Sequence, residues 1–592
     1  MHEIIDRAGR VFLAVGLRVL SRFPKLSIGV LEVGPESVAS LAIPYFHIDM
    51  DEETIGRVFS GEVITLGPSQ DSMASFEKES RDLFFTSIRV PRGPIDIRAV
   101  WEPARLQHVT LLLLSSMDCP DGGGSKIGKA TATDVTLRWI QENRFLFGPH
   151  YMSAMECALR IPVFFYVLKG ADAGSKAYSI LLETIYVHGW WISKNLSLNS
   201  SLGNHTICEA VGLIFAGAIF KNTPEGADWL KTGIRLLREE LKHQVLDDGG
   251  PAEQSLNYHR FVLDLYWLGL DFLETNRLCE CGDLRTRLIQ GEHFLRCFQT
   301  RRGSLPQIGD SDDGQAIAPG VSPKRGTPQI GPVEIQVFRT SGYTVIHTPN
   351  NVAFSFDHGP LGMSPFYNHG HADALSITLS KDGESLLVDP GTYRYNGESQ
   401  FRKYFKGTSA HNTVTVDGLD QAVQETGFIW SRPYCTVLLK STPFNQGWIS
   451  EAEHNGYARL KKPVWHKRVV LYFGGENFLI KDTFSGEGIH DFGLNYHLHP
   501  DASVDRADAW WRISKGDSII FLTLCSDGDF QLTAGRDDPL LGWFSPAYGV
   551  KRKSGVLHCV SRGPCREVVF LTAICTRVMV DQTELEKIAC HI

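Results

Sequence analysis

Apolar residues recur at helical spacing over the middle of the chain. Leu230, Ile234 and Leu237 fall at i, i+4 and i+7, so they share one face of a helix. Thr223 and Pro224 stand just before them, in an order typical of a helix start. The same spacing predicts further helices at about 104–117, 132–147, 151–168, 176–195, 205–221, 253–275 and 282–299. Successive helices joined by short links predict a helical array rather than a parallel sheet.

After about residue 335 the pattern changes to short strands. Runs rich in β-branched and aromatic residues lie at 352–356, 375–380, 385–388, 469–472 and 518–522. Asp382-Gly383, between two of these runs, is a strong hairpin signal. The stretch 310–332, rich in Gly, Pro and Asp, is interpreted as a domain-border loop. The prediction is an α+β multidomain protein with a mixed region at 1–100, a helical domain at 101–330 and an antiparallel β-sandwich at 331–592.

Composition and charge narrow the class of protein. The chain has 592 residues, 43% hydrophobic and 21% charged, so most of it can bury a core. A net charge of −8 with no long run of like charge argues against a nucleic-acid partner. Twelve cysteines without a C-x-x-C pair predict free thiols. No apolar run approaches the roughly 20 residues that span a bilayer, and residues 11–20 are interpreted as an amphipathic helix rather than a secretion signal. We therefore predict a cytoplasmic protein without a transmembrane segment.

Two polar clusters lie in the helical half. Asn204 and His205 stand at a predicted helix start, where side-chain donors and free backbone N–H groups suit a bound carboxylate. An ordinary helix cap by Asn204 is the alternative. Glu253 and Asn257 share a helix face at i and i+4, and Tyr258 follows them. A tyrosine on an amphipathic helix is a candidate catalytic group, although packing is its more frequent role.

A third cluster lies in the β half and offers metal ligands. His369 and His371 are separated by one residue, with Asp389 and His411 downstream. Imidazole and carboxylate are ligands that zinc prefers. In a strand the two histidines would share one face, so that one could bind metal while the other faces substrate. A metal site and a hydrogen-bonded histidine cluster both remain open on the residues alone.

The stretch from Asp310 to Gly314 carries three aspartates. Calcium binding is one interpretation, but the loop lacks the glutamate and the spacing of an EF-hand. A turn at a domain border is the preferred interpretation.

Taken together, these stretches resemble the heparinase II/III-like family of polysaccharide lyases, which includes heparin and heparan sulfate lyases and some alginate lyases. The matching residues fall in family order: 101–105, 151–156, 203–205 with Glu209, 248–259, 309–310, 369–373, 388–393 and 410–414. The resemblance implies an N-terminal (α/α) toroid followed by a C-terminal antiparallel β-sandwich.

The resemblance also implies β-elimination at a uronic acid of a polysaccharide, which leaves a 4,5-unsaturated uronate end. Asn204 and His205 match the residues that neutralise the uronate carboxylate, an oxyanion-hole type of effect. Tyr258 matches the catalytic tyrosine. Its ordinary pKa of about 10 suits proton donation, and it acts as a base only where positive charge favours the phenolate. His369 is the candidate second proton-transfer group.

His371, Asp389 and His411 match a metal site of some family members, so the resemblance implies a structural divalent ion, zinc above others. Four further residues are predicted substrate contacts: Glu209, Arg105, Arg402 and Tyr404. Arg144, Arg160 and Arg260 are predicted to line the cleft, although arginines on helix faces are more often solvated or paired.

The predicted partner is an acidic, uronate-containing polysaccharide or oligosaccharide, with a homo-oligomer allowed. The net charge of −8 does not favour a strongly basic groove, so a polymer with little or no sulfation is slightly preferred. A glycoside hydrolase that uses two of Asp248, Glu253 and Asp310 is one alternative. A non-catalytic polysaccharide-binding or assembly protein is the other.

Overall fold

The computed structural model describes residues 35–50, 71–91, 93, 95–117, 123–199, 202–326 and 335–590. The chain divides into two compact units whose segments alternate along the sequence. The first unit comprises residues 1–244, 261–288 and 314–326, and the second comprises 245–260, 289–313 and 327–592. The amphipathic helix predicted at residues 11–20 lies outside the described residues. The three-region division predicted from the sequence stays a prediction.

Helices of the first half occur at all the predicted segments, although the one predicted at 132–147 runs over Gly123–Glu142 and the one predicted from 253 begins at Leu256. In chain order the helices are α1 Pro35–Ala39, α2 Asp71–Ser80, α3 Ile97–Ala104, α4 Gln107–Met117, α5 Gly123–Glu142, α6 Ala154–Gly170, α7 Lys176–Lys194, α8 Asn204–Ile219, α9 Pro224–Gln244, α10 Leu256–Thr275 and α11 Gly282–Phe298, followed in the second half by α12 Ser399–Lys406 and α13 Gln582–Ala589. Helices α10 and α11 each contribute residues to both units. A short two-stranded sheet, β1 Phe46–Ile48 with β2 Val321–Pro323, belongs to the first unit.

Helix α9 shows how the sequence specifies one of these elements. The Thr223 hydroxyl accepts a hydrogen bond from the Gly226 N–H at 3.1 Å, so the predicted cap is confirmed. Leu237 and Leu241 are buried, as the apolar spacing predicts. Gly217 of α8 allows close packing against α9, because a Cβ at this position would lie 2.4 Å from the Leu230 nitrogen. A larger residue at Gly217 would therefore push the two helices apart.

The second unit is built from antiparallel sheets. A five-stranded sheet has the order β3 Ile335–Phe338, β4 Tyr343–His347, β5 Val352–Asp357, β6 Ile377–Lys381 and β7 Glu384–Leu387. An eight-stranded sheet has the order β11 Thr436–Phe444, β12 Gly447–His454, β13 Val464–Phe473, β14 Asn477–Gly486, β25 Val569–Cys575, β18 Ser518–Leu524, β17 Trp510–Lys515 and β16 Ser503–Ala507. A four-stranded sheet has the order β19 Gln531–Ala534, β24 Gly555–Pro564, β15 Ile489–His497 and β8 Val414–Val416.

Short two-stranded pairs complete this unit: β9 Val423–Gln424 with β10 Trp430–Ser431, β20 Arg536–Asp537 with β21 Leu540–Leu541, and β22 Trp543–Ala547 with β23 Val550–Lys553. The three large sheets share one apolar core, to which each contributes aromatic side chains. Phe354 of β5 stacks on Phe478 of β14 with ring centroids 4.3 Å apart. The helical region and the antiparallel sheets predicted from the sequence are therefore confirmed.

The Asp382-Gly383 hairpin connects β6 to β7 as predicted. Both residues have positive φ, 52° and 84°, which is the conformation of a type I′ turn. The register of this pair shifts between Leu379 and Ser380, just before the turn, and pairing resumes with Leu379 opposite Leu387.

Among the described residues, no helix has the length and apolar character needed to cross a bilayer.

Candidate active site

Asp310 is the central anion of a buried polar cluster in the second unit. Its Oδ2 accepts a hydrogen bond from His369 Nδ1 at 3.0 Å, and its Oδ1 accepts one from His371 Nε2 at 3.1 Å. Arg402 donates to both carboxylate oxygens, and Thr392 Oγ1 donates to Oδ1 at 3.2 Å. The Asp310 side chain is fully buried. Asp310 is already bound to cationic and neutral donors, which argues against calcium at this residue, whereas the boundary between the two units at Asp313 and Gly314 agrees with the domain-border interpretation.

The charges of this cluster follow from its partners. Burial raises the pKa of Asp310, but the Arg402 guanidinium and the hydrogen bonds from the two histidines hold it well below its ordinary value. Burial lowers the pKa of His369, yet the hydrogen bond to Asp310 and the negative charges of Glu253, Asp310 and Asp312 outweigh it, so the net pKa is raised. Asp310 is thus a carboxylate, and it favours a proton on His369.

Tyr258 lies directly against His369. The two rings are stacked, with centroids 3.9 Å apart and an interplanar angle of 21°. The Tyr258 hydroxyl donates to Asp312 Oδ2 at 2.9 Å and lies 2.9 Å from the Tyr395 hydroxyl. A phenol, an imidazole and a carboxylate therefore lie close together, and these are groups that transfer protons in enzymes.

The start of α10 fixes Tyr258 in this position. Ser255 precedes the helix, and its hydroxyl accepts a hydrogen bond from the Tyr258 N–H at 3.1 Å. The same hydroxyl donates to the Asp310 carbonyl at 2.6 Å. One serine therefore caps the helix and ties its first turn to the backbone of the central carboxylate.

His369 and His371 do not lie in a strand, so the condition under which they would share one face is not met. Residues 369–371 lie in a loop, and the two imidazoles converge on opposite oxygens of Asp310 instead of sharing a strand face. Gly370 makes this possible, because a Cβ there would lie 1.5 Å from the Leu361 carbonyl oxygen. The Gly370 carbonyl in turn accepts a hydrogen bond from Trp430 Nε1 at 3.0 Å.

His371, Asp389 and His411 come together as the sequence predicts. One potential ligand atom from each lies within 4.8 Å of the others, and all three side chains are buried. His371 uses Nε2 for Asp310, and His411 uses Nδ1 for Asp389 Oδ2 at 2.9 Å. Since a carboxylate only accepts, each of these nitrogens carries a proton, and the remaining nitrogen of each ring has a lone pair.

Those remaining atoms fit a bound cation. His371 Nδ1, Asp389 Oδ1 and His411 Nε2 are buried without a hydrogen-bond partner among the described residues. Three buried acceptors without donors are costly unless a cation binds them. Two imidazoles and one carboxylate are a zinc-type donor set, with Asp310 orienting one ligand through its second nitrogen. Burial lowers the pKa of His371 to about 4, which keeps that ring neutral and able to coordinate.

We expect His411→Ala to lower the zinc content of purified protein by more than about tenfold, because it removes one of three ligands. Elemental analysis after dialysis against zinc measures this. The matched control is His243→Ala, whose side chain is 68% exposed. Equal zinc in wild type and both variants would contradict a metal at this triad.

The first unit holds the two residues predicted to bind the uronate carboxylate. Asn204 is the first residue of α8 and is buried, and His205 is half-buried. The capping position belongs to Gly203, with φ 105° and no side-chain cap, so the alternative of a cap by Asn204 is not what the structure shows. The charge of His205 helps to lower the pKa of buried Glu156. A carboxylate-binding role for both residues stays a prediction.

Glu209 and Arg105 have partners within the first unit. Glu209 is buried, and its two carboxylate oxygens accept hydrogen bonds from the N–H and the hydroxyl of Ser197, each at 2.7 Å. Arg105 donates from Nε and Nη2 to Glu156 at 2.8 and 2.7 Å and pairs with Glu102 at 3.0 Å. Both side chains are therefore paired with groups of the first unit itself. Direct contact with substrate stays untested.

Arg402 and Tyr404, the other two predicted substrate contacts, also bind groups of the protein. Arg402 is buried in its pairing with Asp310 and donates from Nε to the Gly427 carbonyl at 2.8 Å. The Tyr404 hydroxyl accepts from the Gly542 N–H at 3.1 Å and from the Trp543 N–H at 3.3 Å. Burial raises the pKa of Tyr404, so it stays a neutral phenol.

Three further arginines were predicted to line the cleft. Arg160 is fully buried and donates to the His150 carbonyl at 2.8 Å. Arg144 lies over the Phe147 ring, and Arg260 donates to Asn257 at 2.9 Å. Their observed contacts are therefore with the protein itself.

Sequence reasoning missed three members of the cluster in their present roles: Asp310, Asp312 and Tyr395. Gly309 and Asp310 belonged to the family resemblance, which was the available signal for Asp310. No spacing rule indicated Tyr395, because it lies in a non-repetitive stretch after Asp389.

Solved structures of heparan-degrading lyases share this fold. A crystal structure titled heparinase III matches 88% of this chain and 88% of its own, with a TM-score of 0.63 and 15% identity. A mutant of a heparan sulfate lyase from Pedobacter heparinus matches 87% of this chain and 84% of its own, with a TM-score of 0.58 and 16% identity. At these identities the likeness shows the fold alone.

Sequence families identify the chain further. The model described as heparinase II/III N-terminus matches residues 153–285, and the model described as heparinase II/III-like, C-terminal, matches residues 331–581. The chain belongs to the heparinase II/III family. A heparin-sulfate lyase of Bacteroides stercoris is 23% identical over 431 residues, which are 64% of this chain and 58% of that relative. The match thus spans little more than half of the relative's length.

Proposed function

We propose that this protein is a polysaccharide lyase that cleaves an acidic glycosaminoglycan at a uronic acid by β-elimination. The observation that carries the proposal is the stacked pair of Tyr258 and His369, with Asp310 on the histidine and Asp312 on the tyrosine. Membership of the heparinase II/III family supports it. We further propose the (α/α) toroid and β-sandwich architecture that the resemblance implies.

The chemistry requires removal of the C5 proton and protonation of the glycosidic oxygen that leaves C4. His369 binds Asp310 through Nδ1, so its Nε2 is the atom that exchanges a proton with substrate. Neutral His369 accepts the C5 proton there, and the Asp310 carboxylate stabilises the resulting imidazolium. The electron pair of the C5–H bond becomes the new C4–C5 double bond as the C4–O bond breaks.

Tyr258 supplies the proton for the leaving oxygen. Its hydroxyl hydrogen, directed at Asp312 in the structure, turns to the glycosidic oxygen when substrate is bound. The Tyr395 hydroxyl, 2.9 Å away, then donates to the phenolate that remains. Asn204 and His205 are proposed to neutralise the uronate carboxylate, which makes the C5 proton more acidic.

His371, Asp389 and His411 are proposed to hold a structural zinc ion. When bound, the ion supplies positive charge that fixes the three side chains and balances their acceptor atoms. Asp310 accepts hydrogen bonds from both His371 and His369, so fixing the position of His371 also helps to fix that of His369. Arg402 and Tyr404 are proposed as positioning residues. Arg402 binds Asp310 and the Gly427 carbonyl, and Tyr404 binds the Gly542 and Trp543 N–H groups.

The hydrolase alternative is disfavoured by the carboxylates. Asp248 Oδ2 accepts hydrogen bonds from the Thr340 and Ser341 N–H groups at 2.7 and 2.9 Å. Asp310 is bound to Arg402 and two histidines. A glycosidase needs a general acid with a raised pKa, whereas the Arg402 guanidinium and the two histidines hold the pKa of Asp310 well below its usual range.

An absorbance screen tests the proposal. Purified protein is incubated with heparan sulfate, heparin, chondroitin, hyaluronan and alginate, and new ultraviolet absorbance from the conjugated uronate is followed. We expect absorbance with at least one uronate polymer. New reducing ends without absorbance would indicate a hydrolase, and binding without new ends would indicate a carbohydrate-binding protein. The preference for low sulfation, the homo-oligomer and the cytoplasmic location stay proposals alongside it.

A further inference from the structure

A cavity of about 400 Å³ lies within the second unit, against one face of the five-stranded sheet. Its volume falls in the range of small-molecule binding pockets, about 300–1,000 Å³. Tyr258 and His369 are not among its lining residues. The cavity is therefore a different place from the proton-transfer cluster.

Strand alternation explains why the space exists. Along β5, Phe354 and Phe356 pack in the core, and Ser355 between them lines the cavity. Along β6, Leu379 is a core residue, and Thr378 on one side of it lines the cavity. Most side chains on the cavity face of the sheet are small: Ala353, Ser355, Thr378, Ser380 and Ser385. Larger residues of the same sheet also border the cavity: Val345, Phe354, Leu379 and Leu387. Protein interiors are close-packed, so a row of small residues leaves room for another molecule.

The lining is rich in hydroxyl groups. Ser355 and Thr378 form a hydroxyl pair at 2.6 Å, and Thr300 and Ser304 form another at 2.7 Å in the segment that covers the sheet. Each hydroxyl has one donor and two acceptor sites, so a pair retains hydrogen-bonding capacity. Phe298 and Phe544 add apolar surface. Alternating hydroxyl and aromatic surface suits the two faces of a sugar ring.

One end of the cavity is positively charged. Lys515 Nζ lies 3.0 Å from Glu384 and 3.2 Å from His499 Nε2, which accounts for two of its three donors. Arg302 pairs with the other oxygen of Glu384, and its side chain is 64% exposed. Two cations therefore share one carboxylate. Burial and the Lys515 charge lower the pKa of His499 to about 4, so it adds no charge at neutral pH.

Asp389 also borders the cavity, where its Oδ2 accepts a hydrogen bond from His411 Nδ1 at 2.9 Å. At the Lys515 end, two cations share the single carboxylate of Glu384, which leaves an excess of one positive charge there. A small ligand with hydroxyls and a single negative charge can form hydrogen bonds with the hydroxyl groups of the lining and an ion pair with its positively charged end.

We propose that this cavity is a second carbohydrate site, which binds a sugar acid of one or two rings with its carboxylate on Lys515 and Arg302 and its hydroxyls on Ser355, Thr378 and Ser380. The residues that bind the sugar are separate from Tyr258 and His369, and Asp389 of the proposed metal triad borders the cavity. A carboxylate on Lys515 forms a charge-assisted hydrogen bond with the remaining ammonium donor.

Glucuronate and glucose are the probes, because they share a ring and differ at the carboxylate. Calorimetric or NMR titration of the full chain is expected to show glucuronate bound at least about tenfold more tightly than glucose. Lys515→Met should remove this preference, and Thr378→Leu, which fills the cavity, should abolish binding of both sugars. Tyr258→Phe, as the control for the proton-transfer cluster, should leave both titrations unchanged.

Thermal unfolding of each variant shows whether it is folded, and Ser380→Val replaces Thr378→Leu if the latter is not. Glucuronate binding that survives both Lys515→Met and the filled cavity would overturn the second site. So would binding lost in Tyr258→Phe, since that result places the sugar at the cluster. The absorbance screen of the same preparations reports the proposed lyase activity separately.

Discussion

Tyr258→Phe is expected to reduce turnover of the best uronate polymer by about 10²–10⁴-fold, the usual contribution of a positioned acid or base. The substitution removes only the hydroxyl, which contacts Asp312 and Tyr395. The ring that stacks on His369 is retained, so the histidine keeps its position. The loss should therefore appear in kcat more than in KM, as measured by the initial rate of absorbance change.

The matched control is Tyr45→Phe, which makes the same chemical change at a tyrosine that is 59% exposed. It should leave turnover unchanged. Loss of two hydrogen bonds at Tyr258 costs about 1–3 kcal/mol in total, so thermal unfolding should show that variant still folded. If Tyr258→Phe turned over the polymer as fast as Tyr45→Phe, the proton-transfer role of Tyr258 would be wrong. If the protein only binds the polymer, Tyr258→Phe should leave its affinity for the polymer unchanged as well.

Local signals in the sequence predicted local structure well. The sequence predicts both the Thr223 cap and the Asp382-Gly383 turn, because each depends on residues within four positions of one another. Helical spacing and strand composition likewise located most elements. These features are set by backbone geometry and nearest neighbours, which a single sequence displays directly.

The cluster around Asp310 could not be read in this way. Its carboxylate binds His369, His371 and Arg402, which are 59, 61 and 92 residues away along the chain. No spacing pattern encodes contacts between loops that distant, so the border-turn interpretation, which agrees with the unit boundary at Asp313 and Gly314, does not reveal the hydrogen bonds of Asp310. The same limit applies at 369–371, where the sequence allows a shared strand face as one possibility and the chain forms a loop.

Ligand chemistry was more informative than periodicity at the metal triad. His371, Asp389 and His411 were selected for their donor atoms and for the resemblance, and the structure brings those atoms within 4.8 Å. Charged side chains are harder to interpret from the sequence. Arg105 and Glu209, two predicted substrate contacts, are buried and paired within the protein, because a buried charge is costly without a partner. Their contact with substrate stays a prediction. A sequence shows which groups are charged without showing which of them are already paired.

The ion pair of Arg468 and Asp482 should be among the most sensitive positions for stability in the second unit. Both side chains are fully buried, with Nε and Nη2 of Arg468 donating to Asp482 at 2.7 and 3.0 Å. Arg468 Nη1 also donates to the Leu375 and Asn412 carbonyls, each at 2.6 Å, next to the loop that carries His411. Arg468→Met leaves a buried carboxylate and two carbonyls without these donors. We expect a loss of about 3–5 kcal/mol in the free energy of unfolding.

Urea unfolding followed by tryptophan fluorescence measures this loss, with Arg506→Met as the control. Arg506 pairs with Asp529, but the two side chains are 45% and 54% exposed, so its loss should cost less than about 1 kcal/mol. Burial raises the pKa of Asp482, but Arg468 and His466 outweigh it and the net pKa is lowered. This stabilisation is present above the unfolded pKa of about 3.9 and is lost as pH falls through the lower folded value. Acidification should therefore narrow the gap between wild type and Arg468→Met, and a gap that widens toward low pH would show that the pair is not the cause.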